Sequence, residues 1–254
     1  MKEMTKIITI ANQKGGVGKT TTAVTLSAAL GELGKHILLV DIDPQGNATT
    51  GFGVDKNEQE NTVYEVIMGD CAVNEAIIKD VVPFVDLMPS NVNLSGAEIE
   101  LTQYDNREYR LKEQLEYIKD NYDFIFIDCP PSLNTLTLNA MCASESLLVP
   151  IQCEYLALEG LSDLIQTINL VRENLNAELD LEGIILTMYD ARTSLSEQVM
   201  ENVRETFPEK TYETVIPRNV RLAEAPSFGK PITIYDPKSA GAEAYRKLAK
   251  EMLK

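Results

Sequence analysis

Short apolar runs separated by longer amphipathic stretches recur along the chain. The apolar runs predict β-strands at 6–11, 37–41, 85–88, 124–128, 146–151, 183–188 and 214–216. Apolar residues at helical spacing predict helices at 19–33, 110–119, 158–175 and 196–206. Apolar strands that alternate with helices are typical of a mainly parallel, twisted sheet with helices on both faces. The pattern therefore predicts an α/β fold, in which ligands bind at the carboxyl ends of the strands.

The loop between the first predicted strand and the first predicted helix carries the clearest chemistry. Residues 11–22 read ANQKGGVGKTTT, with glycines at positions 15, 16 and 18. Glycines allow successive backbone N–H groups to close around phosphate oxygens at the positive end of a helix. Lys19 adds a charge for the β- and γ-phosphates, and Thr20 adds a hydroxyl for Mg²⁺. The segment predicts the P-loop of a nucleoside triphosphatase.

This loop departs from the usual pattern GxxxxGK[ST], because Gln13 stands where the first glycine is expected. It also carries a second lysine, Lys14. Since Lys19 and Mg²⁺ already neutralise the bound phosphates, a second lysine indicates a phosphate held elsewhere. The alternative is that Lys14 is a solvated loop lysine.

Three aspartates follow predicted strands, so we expect them at the same edge of the sheet as the P-loop. Asp128 ends an apolar strand before Pro130 and Pro131, which suits a carboxylate that holds Mg²⁺ through water. Asp41 and Asp43 are two residues apart, so their side chains share a face of an extended segment. One of them can orient the water that attacks the γ-phosphate. The alternative for these two residues is a capping role at the strand end.

Four further segments join the P-loop in a characteristic order. The five segments are KGGVGKTT at 14–21, VDIDPQGNAT at 40–49, FIDCPPS at 126–132, QCEYLALEGL at 152–161 and IPRNVRLAEAPSFGKPI at 216–232. Together they resemble the deviant Walker A ATPases of the ParA/MinD family and are similar to the small chromosomal ParA proteins called Soj. The resemblance covers essentially the whole chain.

The resemblance implies a Mg²⁺-dependent ATP hydrolase that forms a homodimer on ATP binding. In that family the early lysine, here Lys14, reaches across the dimer interface to the nucleotide of the partner. The implied catalytic residues are Lys14, Lys19 and Asp43. The implied nucleotide ligands are Lys14, Gly15, Gly16, Val17, Gly18, Lys19, Thr20, Thr21, Pro217 and Asn219. The implied magnesium ligands are Thr20, Asp41 and Asp128.

The choice of base rests on Pro217 and Asn219, which the resemblance places around adenine. No GTPase-like NKxD motif occurs in the sequence, so ATP is expected rather than GTP. The alternative is that Pro217 and Asn219 only build a turn.

The charge distribution bears on nucleic-acid binding. The net charge of −16 argues against contact with DNA, because phosphate contact needs local positive potential. Residues 1–215 nevertheless carry a net charge of −20, and residues 216–254 a net charge of +4. The resemblance implies that Arg192 and Arg221 bind the backbone of double-stranded DNA, with Lys230 as a further candidate, and solvated charge is the alternative for each. Without a base-reading motif, we expect non-specific binding that salt weakens steeply.

Length and composition fit one domain over residues 1–254, since 254 residues with 44% hydrophobic content can bury a large core. No apolar run approaches the ~18 residues of a membrane span, and residues 1–5 are too short and polar for a signal peptide. We therefore expect a cytoplasmic protein with no membrane partner, and the resemblance implies that it associates with the nucleoid. The spacing of the four cysteines suits reduced, packed thiols rather than metal ligands or disulfides. Because five residues precede the first predicted strand, we expect no operator-binding helix-turn-helix.

Partition by such a protein implies a DNA-bound ParB partner that stimulates hydrolysis. A MinD-like membrane-associated ATPase is the main alternative, and would use residues 241–254 as an amphipathic helix. Tyr245, Leu248, Met252 and Leu253 share one side of that helix, which we expect to pack on the fold instead. A cluster carrier would need a cysteine pair, and Cys129 is alone near the site. A nucleotide-switched binding protein with little hydrolysis is the third alternative, against which Asp43 argues.

Overall fold

A seven-stranded sheet forms the centre of the molecule, with the strand order β3-β4-β2-β5-β1-β6-β7. The computed structural model describes residues 4–155 and 157–254; positions 1–3 of the predicted N-terminal segment and Leu156 of the QCEYLALEGL segment lie outside these ranges. All strand pairs are parallel except β3 with β4. The strands are β1 (Lys6–Ile10), β2 (Ile37–Asp41), β3 (Ile78–Val82), β4 (Val85–Met88), β5 (Phe124–Asp128), β6 (Ser146–Gln152) and β7 (Asp180–Thr187).

Helices cover both faces of this sheet, as predicted for an α/β fold of the P-loop class. The α-helices are α1 (Lys19–Gly31), α2 (Asn47–Gly51), α3 (Val63–Met68), α4 (Leu94–Glu100), α5 (Arg110–Leu115), α6 (Thr135–Ala143), α7 (Ala157–Asn174), α8 (Ser194–Thr206), α9 (Val220–Glu224), α10 (Ile232–Tyr235) and α11 (Ala240–Met252). Short 3₁₀ helices lie at Val73–Ala76, Leu101–Gln103, Lys119–Asn121 and Ala225–Phe228.

Alternate residues of the central strands supply two cores, one on each face of the sheet. Ile8 and Phe126 pack with α1 and α11 on one face. Ile7 and Ile125 point to the other face and pack with α3, α7 and α8. Full burial of each such side chain contributes about 1.5–3 kcal/mol. Burial on both faces explains why these strands are apolar throughout rather than alternating.

The last helix belongs to this packing. Tyr245, Leu248 and Met252 of α11 are buried, and the Tyr245 hydroxyl lies 2.9 Å from the Thr22 hydroxyl of α1. Leu253, at the end of the chain, is 38% exposed. The apolar side of this helix therefore packs on the fold, as expected.

The structure differs locally from several of the predicted elements. Residues 214–216 do not form a strand; instead, isolated bridges join Thr211 to Ile184 of β7 and Pro217 to Tyr189. β3 was not predicted because it is a partly exposed antiparallel edge strand of sequence IKDVV, in which no residue is fully buried. α6 was not predicted because TLTLNAMCA is buried almost all round and shows no amphipathic stripe.

Candidate functional site

The P-loop joins β1 to α1 at the carboxyl edge of the sheet. Gly16 and Gly18 adopt left-handed backbone conformations, with φ angles of 75° and 91°. A Cβ atom added to Gly15 or Gly16 would lie more than 4 Å from every described residue outside its chain neighbours. The space over the loop is therefore open to a ligand. Because Gly18 is the N-cap of α1, the free N–H groups of the first helical turn also face this end of the helix.

Two polar side chains hold the P-loop against the neighbouring strands. The Asn12 side chain donates to Pro150 O at 2.8 Å and accepts from the Lys14 N–H at 2.9 Å. The buried Thr187 hydroxyl lies 2.8 Å from Val17 O. Neither Asn12 nor Thr187 was predicted from the sequence. No local pattern reports the second contact, because Thr187 is 170 positions from Val17.

The two lysines of the loop point in different directions. Lys19 is 7% exposed, and its Nζ donates to Lys14 O at 3.3 Å. Burial lowers the pKa of Lys19, and the negative charge of Asp128 opposes this change. The Lys14 ammonium lies 3.3 Å from Glu154 Oε2, with 43% of the lysine side chain exposed. Lys19 is thus buried within the loop, whereas Lys14 lies at the surface.

Asp128 is a buried carboxylate at the end of β5, beside Ile10 of β1 and Asp41 of β2. It is 0% exposed, and neither carboxylate oxygen has a hydrogen-bond partner among the described residues. Burial and then the charge of Asp41 raise its pKa well above 3.8, although Thr20 and Lys19 oppose the rise. A buried carboxylate needs a compensating cation, and Mg²⁺ prefers oxygen ligands. Asp128 and Thr20 therefore fit the predicted magnesium site.

Asp41 and Asp43 lie at the end of β2, and their carboxylates have different surroundings. Oδ2 of the fully buried Asp41 accepts from the N–H and the hydroxyl of Thr49, both at 2.8 Å. Burial raises the pKa of Asp41, and these hydrogen bonds partly oppose the rise. Asp43 is 7% exposed, and its Oδ1 accepts from the Gln45 N–H at 2.9 Å. Asp41 therefore anchors the turn, which is the capping role that the sequence left open for it.

A cavity of about 430 Å³ continues from the P-loop toward α9. Its walls include Gly18, Thr21, Thr187, Met188, Pro217 and Asn219. The Asn219 Oδ1 also caps α9 by accepting from the Arg221 N–H at 2.8 Å, so the turn-building role weighed for this residue is present. Met188 was not predicted and adopts a left-handed backbone with φ of 51°, which is rare outside glycine. The size and the mixed lining suit a nucleoside.

The three basic residues implied in DNA contact lie outside this cavity or at the edge of a second one. Arg192 is 85% exposed and holds Asp190 through Nε at 2.8 Å and Nη2 at 2.7 Å. This pairing holds the pKa of Asp190 below its usual range. Arg221 is 56% exposed and lies 2.9 Å from Glu224. Lys230 lines a cavity of about 220 Å³ that includes Thr20 of α1.

Other ligand chemistry finds little support in the part of the chain that the structure describes. Within 4–155 and 157–254, no group of three or more His, Cys, Asp or Glu side chains could hold a metal ion by itself. All four cysteines are free thiols. No helix in these ranges is long and apolar enough to cross a membrane.

The fold and the loop define a P-loop nucleoside triphosphatase. A family model described as an AAA domain matches residues 5–181. The sporulation initiation inhibitor protein Soj of Bacillus subtilis is 57% identical over 249 residues, covering 98% of both chains. The chromosome partitioning protein ParA of Caulobacter vibrioides is 53% identical over 250 residues, covering 98% of this chain and 94% of its own.

Among solved structures, cobyrinic acid a,c-diamide synthase of Mycobacterium smegmatis with bound ADP and magnesium matches with a TM-score of 0.84. It is 39% identical and covers 98% of this chain and 94% of its own. The chain belongs to the family of Soj and ParA chromosome-partitioning ATPases.

Proposed function

We propose that the chain is a DNA-partitioning ATPase. Two subunits form a dimer with two ATP molecules bound at their interface, the dimer binds DNA, and the subunits separate after hydrolysis. The observation that carries this proposal is the arrangement of the two P-loop lysines. Lys19 is buried beside Asp128, whereas Lys14 lies at the surface with an exposed side chain. A loop that already neutralises its own phosphates through Lys19 can spare Lys14 for those of a second subunit.

The chemistry is phosphoryl transfer from ATP to water, in which the protein positions and neutralises charge more than it forms bonds. The P-loop N–H groups and Lys19 would bind the phosphates, and Thr20, Asp128 and Asp41 would hold Mg²⁺. Bound Mg²⁺ supplies charge neutralisation at the phosphate oxygens. Asp43 orients the attacking water. Lys14 supplies a cation in trans, and a cation delivered at the right moment can accelerate such a reaction by about 10³-fold or more.

Lys14→Ala tests the role of Lys14 in pairing. With ATP and Mg²⁺, we expect the parent to sediment as a dimer and Lys14→Ala as a monomer, with a dissociation constant raised more than about tenfold, because a charged contact to phosphate is lost. Lys250→Ala, at an exposed position on α11, is the control and should dimerise normally. A Lys14→Ala protein that dimerises like the parent would remove the basis of the proposal.

DNA contact is proposed for Arg192, Arg221 and Lys230. The net charge of +4 over residues 216–254 supports a local positive potential, and pairing two subunits would double the basic surface. Because Arg192 and Arg221 are held by acidic neighbours, phosphates must compete with carboxylates for them. We therefore propose non-specific DNA binding that is weak for single subunits and stronger for the ATP dimer.

Arg221→Glu tests the DNA surface. At low salt with ATP, we expect the variant to bind duplex DNA at least about tenfold more weakly, because a phosphate contact is lost and a negative charge is added. The salt dependence of binding should fall as well, since fewer counterions are released. Arg107→Glu is a matched control, since Arg107 is also exposed and paired with a neighbouring acid, Glu108, at 2.8 Å. Fluorescence anisotropy over a salt series measures both. Equal binding by Arg221→Glu and Arg107→Glu would place the DNA surface elsewhere.

A ParB-like protein bound to DNA is the proposed activator of hydrolysis, and association with the nucleoid in the cytoplasm follows from DNA binding by the ATP dimer. Phosphate release measured with DNA and the ParB-like protein present tests this activation. The MinD-like alternative gains no specific support, because the apolar residues of α11 that could enter a membrane surface are buried on α1.

A further inference from the structure

The surface lysine of the P-loop is not free in the single chain, because a carboxylate from the end of β6 holds it. Lys14 Nζ lies 3.3 Å from Glu154 Oε2, and both side chains are less than half exposed. The other carboxylate oxygen of Glu154 accepts from the Gln152 side chain. The side chain of Gln152, the last residue of β6, therefore holds the Glu154 carboxylate in the orientation in which it contacts Lys14. None of the functions described above uses this carboxylate.

The backbone of Lys14 is held within the same subunit as well. Its N–H donates to Asn12 Oδ1 at 2.9 Å, and its carbonyl accepts from Lys19 Nζ at 3.3 Å. Lys19 can keep this contact while it binds phosphate, because an ammonium group has three N–H donors. Both contacts fix only the backbone of Lys14 and leave its side chain free to turn. The ion pair with Glu154 is then the contact that holds the side chain.

We propose that Glu154 is a positioning residue that keeps Lys14 in its own subunit and thereby sets the protein concentration at which the ATP dimer forms. The inference rests on the proposed function, since it requires that Lys14 acts in trans. Lys14 must exchange the Glu154 carboxylate for a phosphate of the partner's nucleotide. An exposed ion pair is weak enough to allow this exchange and strong enough to oppose it before ATP is present.

The expected size follows from the strength of exposed ion pairs. One pair shifts an equilibrium by up to about fivefold, and a symmetric dimer breaks two pairs, so the dimer dissociation constant changes by up to about 30-fold. Salt screens exposed pairs, so the effect should shrink as ionic strength rises. Glu154→Gln removes the charge but keeps the shape and a polar group for Gln152.

The test is sedimentation of Glu154→Gln with a non-hydrolysable ATP analogue and Mg²⁺ over a range of protein concentrations. We expect the variant to dimerise at a concentration about 3- to 30-fold lower than the parent, and both to stay monomeric without nucleotide. In ATP turnover, the half-maximal protein concentration should fall while kcat at saturating protein is unchanged. A merely structural role would lower kcat or stability instead. Glu154→Asp, which keeps the charge, should lie closer to the parent.

Glu173→Gln is the matched control, because Glu173 is exposed at the far end of α7 and the substitution changes the net charge equally. Dimerisation of Glu154→Gln that is weaker than, or equal to, that of Glu173→Gln would overturn the inference. Glu154→Gln should strengthen dimerisation in the parent but not in the Lys14→Ala variant, which lacks the ion pair. An equal gain in both backgrounds would also overturn the inference. Failure of the proposed function looks different, since Lys14→Ala alone would then dimerise like the parent.

Discussion

Asp43→Ala is expected to slow ATP hydrolysis by about 10²–10⁴-fold, the range associated with loss of a group that positions or deprotonates the attacking water. The ATP dimer should persist, because Asp43 lies outside the P-loop and its substitution leaves Lys14 and Lys19 in place. The local structure should tolerate the change. Asp43 Oδ1 accepts one hydrogen bond, from the Gln45 N–H at 2.9 Å, and the backbone N–H that donates to Asp41 Oδ1 at 3.2 Å remains in alanine. Phosphate release and sedimentation with ATP measure the two effects.

Asp55→Ala is a close control for this substitution. Like Asp43, Asp55 has an Oδ1 atom that accepts a hydrogen bond from the backbone N–H two residues later, here that of Asn57 at 2.9 Å. Unlike Asp43, it is exposed and lies away from the P-loop. Its turnover should stay within about twofold of the parent, as expected for a surface substitution. Turnover of Asp43→Ala within threefold of the parent would assign the attacking water to another group. Loss of the dimer in Asp43→Ala would instead show that this carboxylate supports pairing.

The sequence predicts the phosphate side of the site well because that chemistry is local. Gly15 to Thr20 are contiguous, and Asp41 and Asp128 end apolar strands whose neighbours in the sheet follow from the parallel topology. The support of the loop could not be predicted in the same way. Thr187 and Glu154 act on Val17 and Lys14 across 170 and 140 positions, and contacts of this kind depend on how the strands are arranged in space.

The DNA candidates show a second limit of sequence reasoning. Counting charges indicates where positive residues are concentrated, yet it does not reveal that Arg192 is held by Asp190 and Arg221 by Glu224 and Asp236. These acids are near in sequence or fold back from α10, and they reduce the positive potential that each arginine offers. The residues implied by the resemblance stay candidates, and their strength depends on whether phosphate displaces the carboxylates.

Asp128→Asn should have opposite effects on turnover and on stability. Loss of a magnesium-holding carboxylate is expected to lower turnover by about 10²–10³-fold. Without Mg²⁺ and nucleotide, however, the variant should be more stable by about 1–3 kcal/mol, since an unpartnered buried amide costs less than an unpartnered buried carboxylate, and the oxygens of Asp128 have no partner among the described residues. With ATP and Mg²⁺ the order should reverse, because ligand binding stabilises the parent by mass action. Denaturant unfolding with and without ligand measures both.

The pH dependence separates this charge effect from a change in packing. The folded-state pKa of Asp128 is raised above 3.8, so between that value and the folded pKa the folded protein binds more protons than the unfolded chain. The stability of the ligand-free parent therefore falls as pH rises through this window, and the advantage of Asp128→Asn grows there and then stays constant. Asp86→Asn is the control of opposite sign, because Asp86 Oδ2 accepts from Lys79 Nζ at 2.7 Å and from Tyr122 at 2.8 Å. That variant should lose stability. A ligand-free Asp128→Asn protein that is less stable than the parent at neutral pH would show that the buried carboxylate is compensated within the chain.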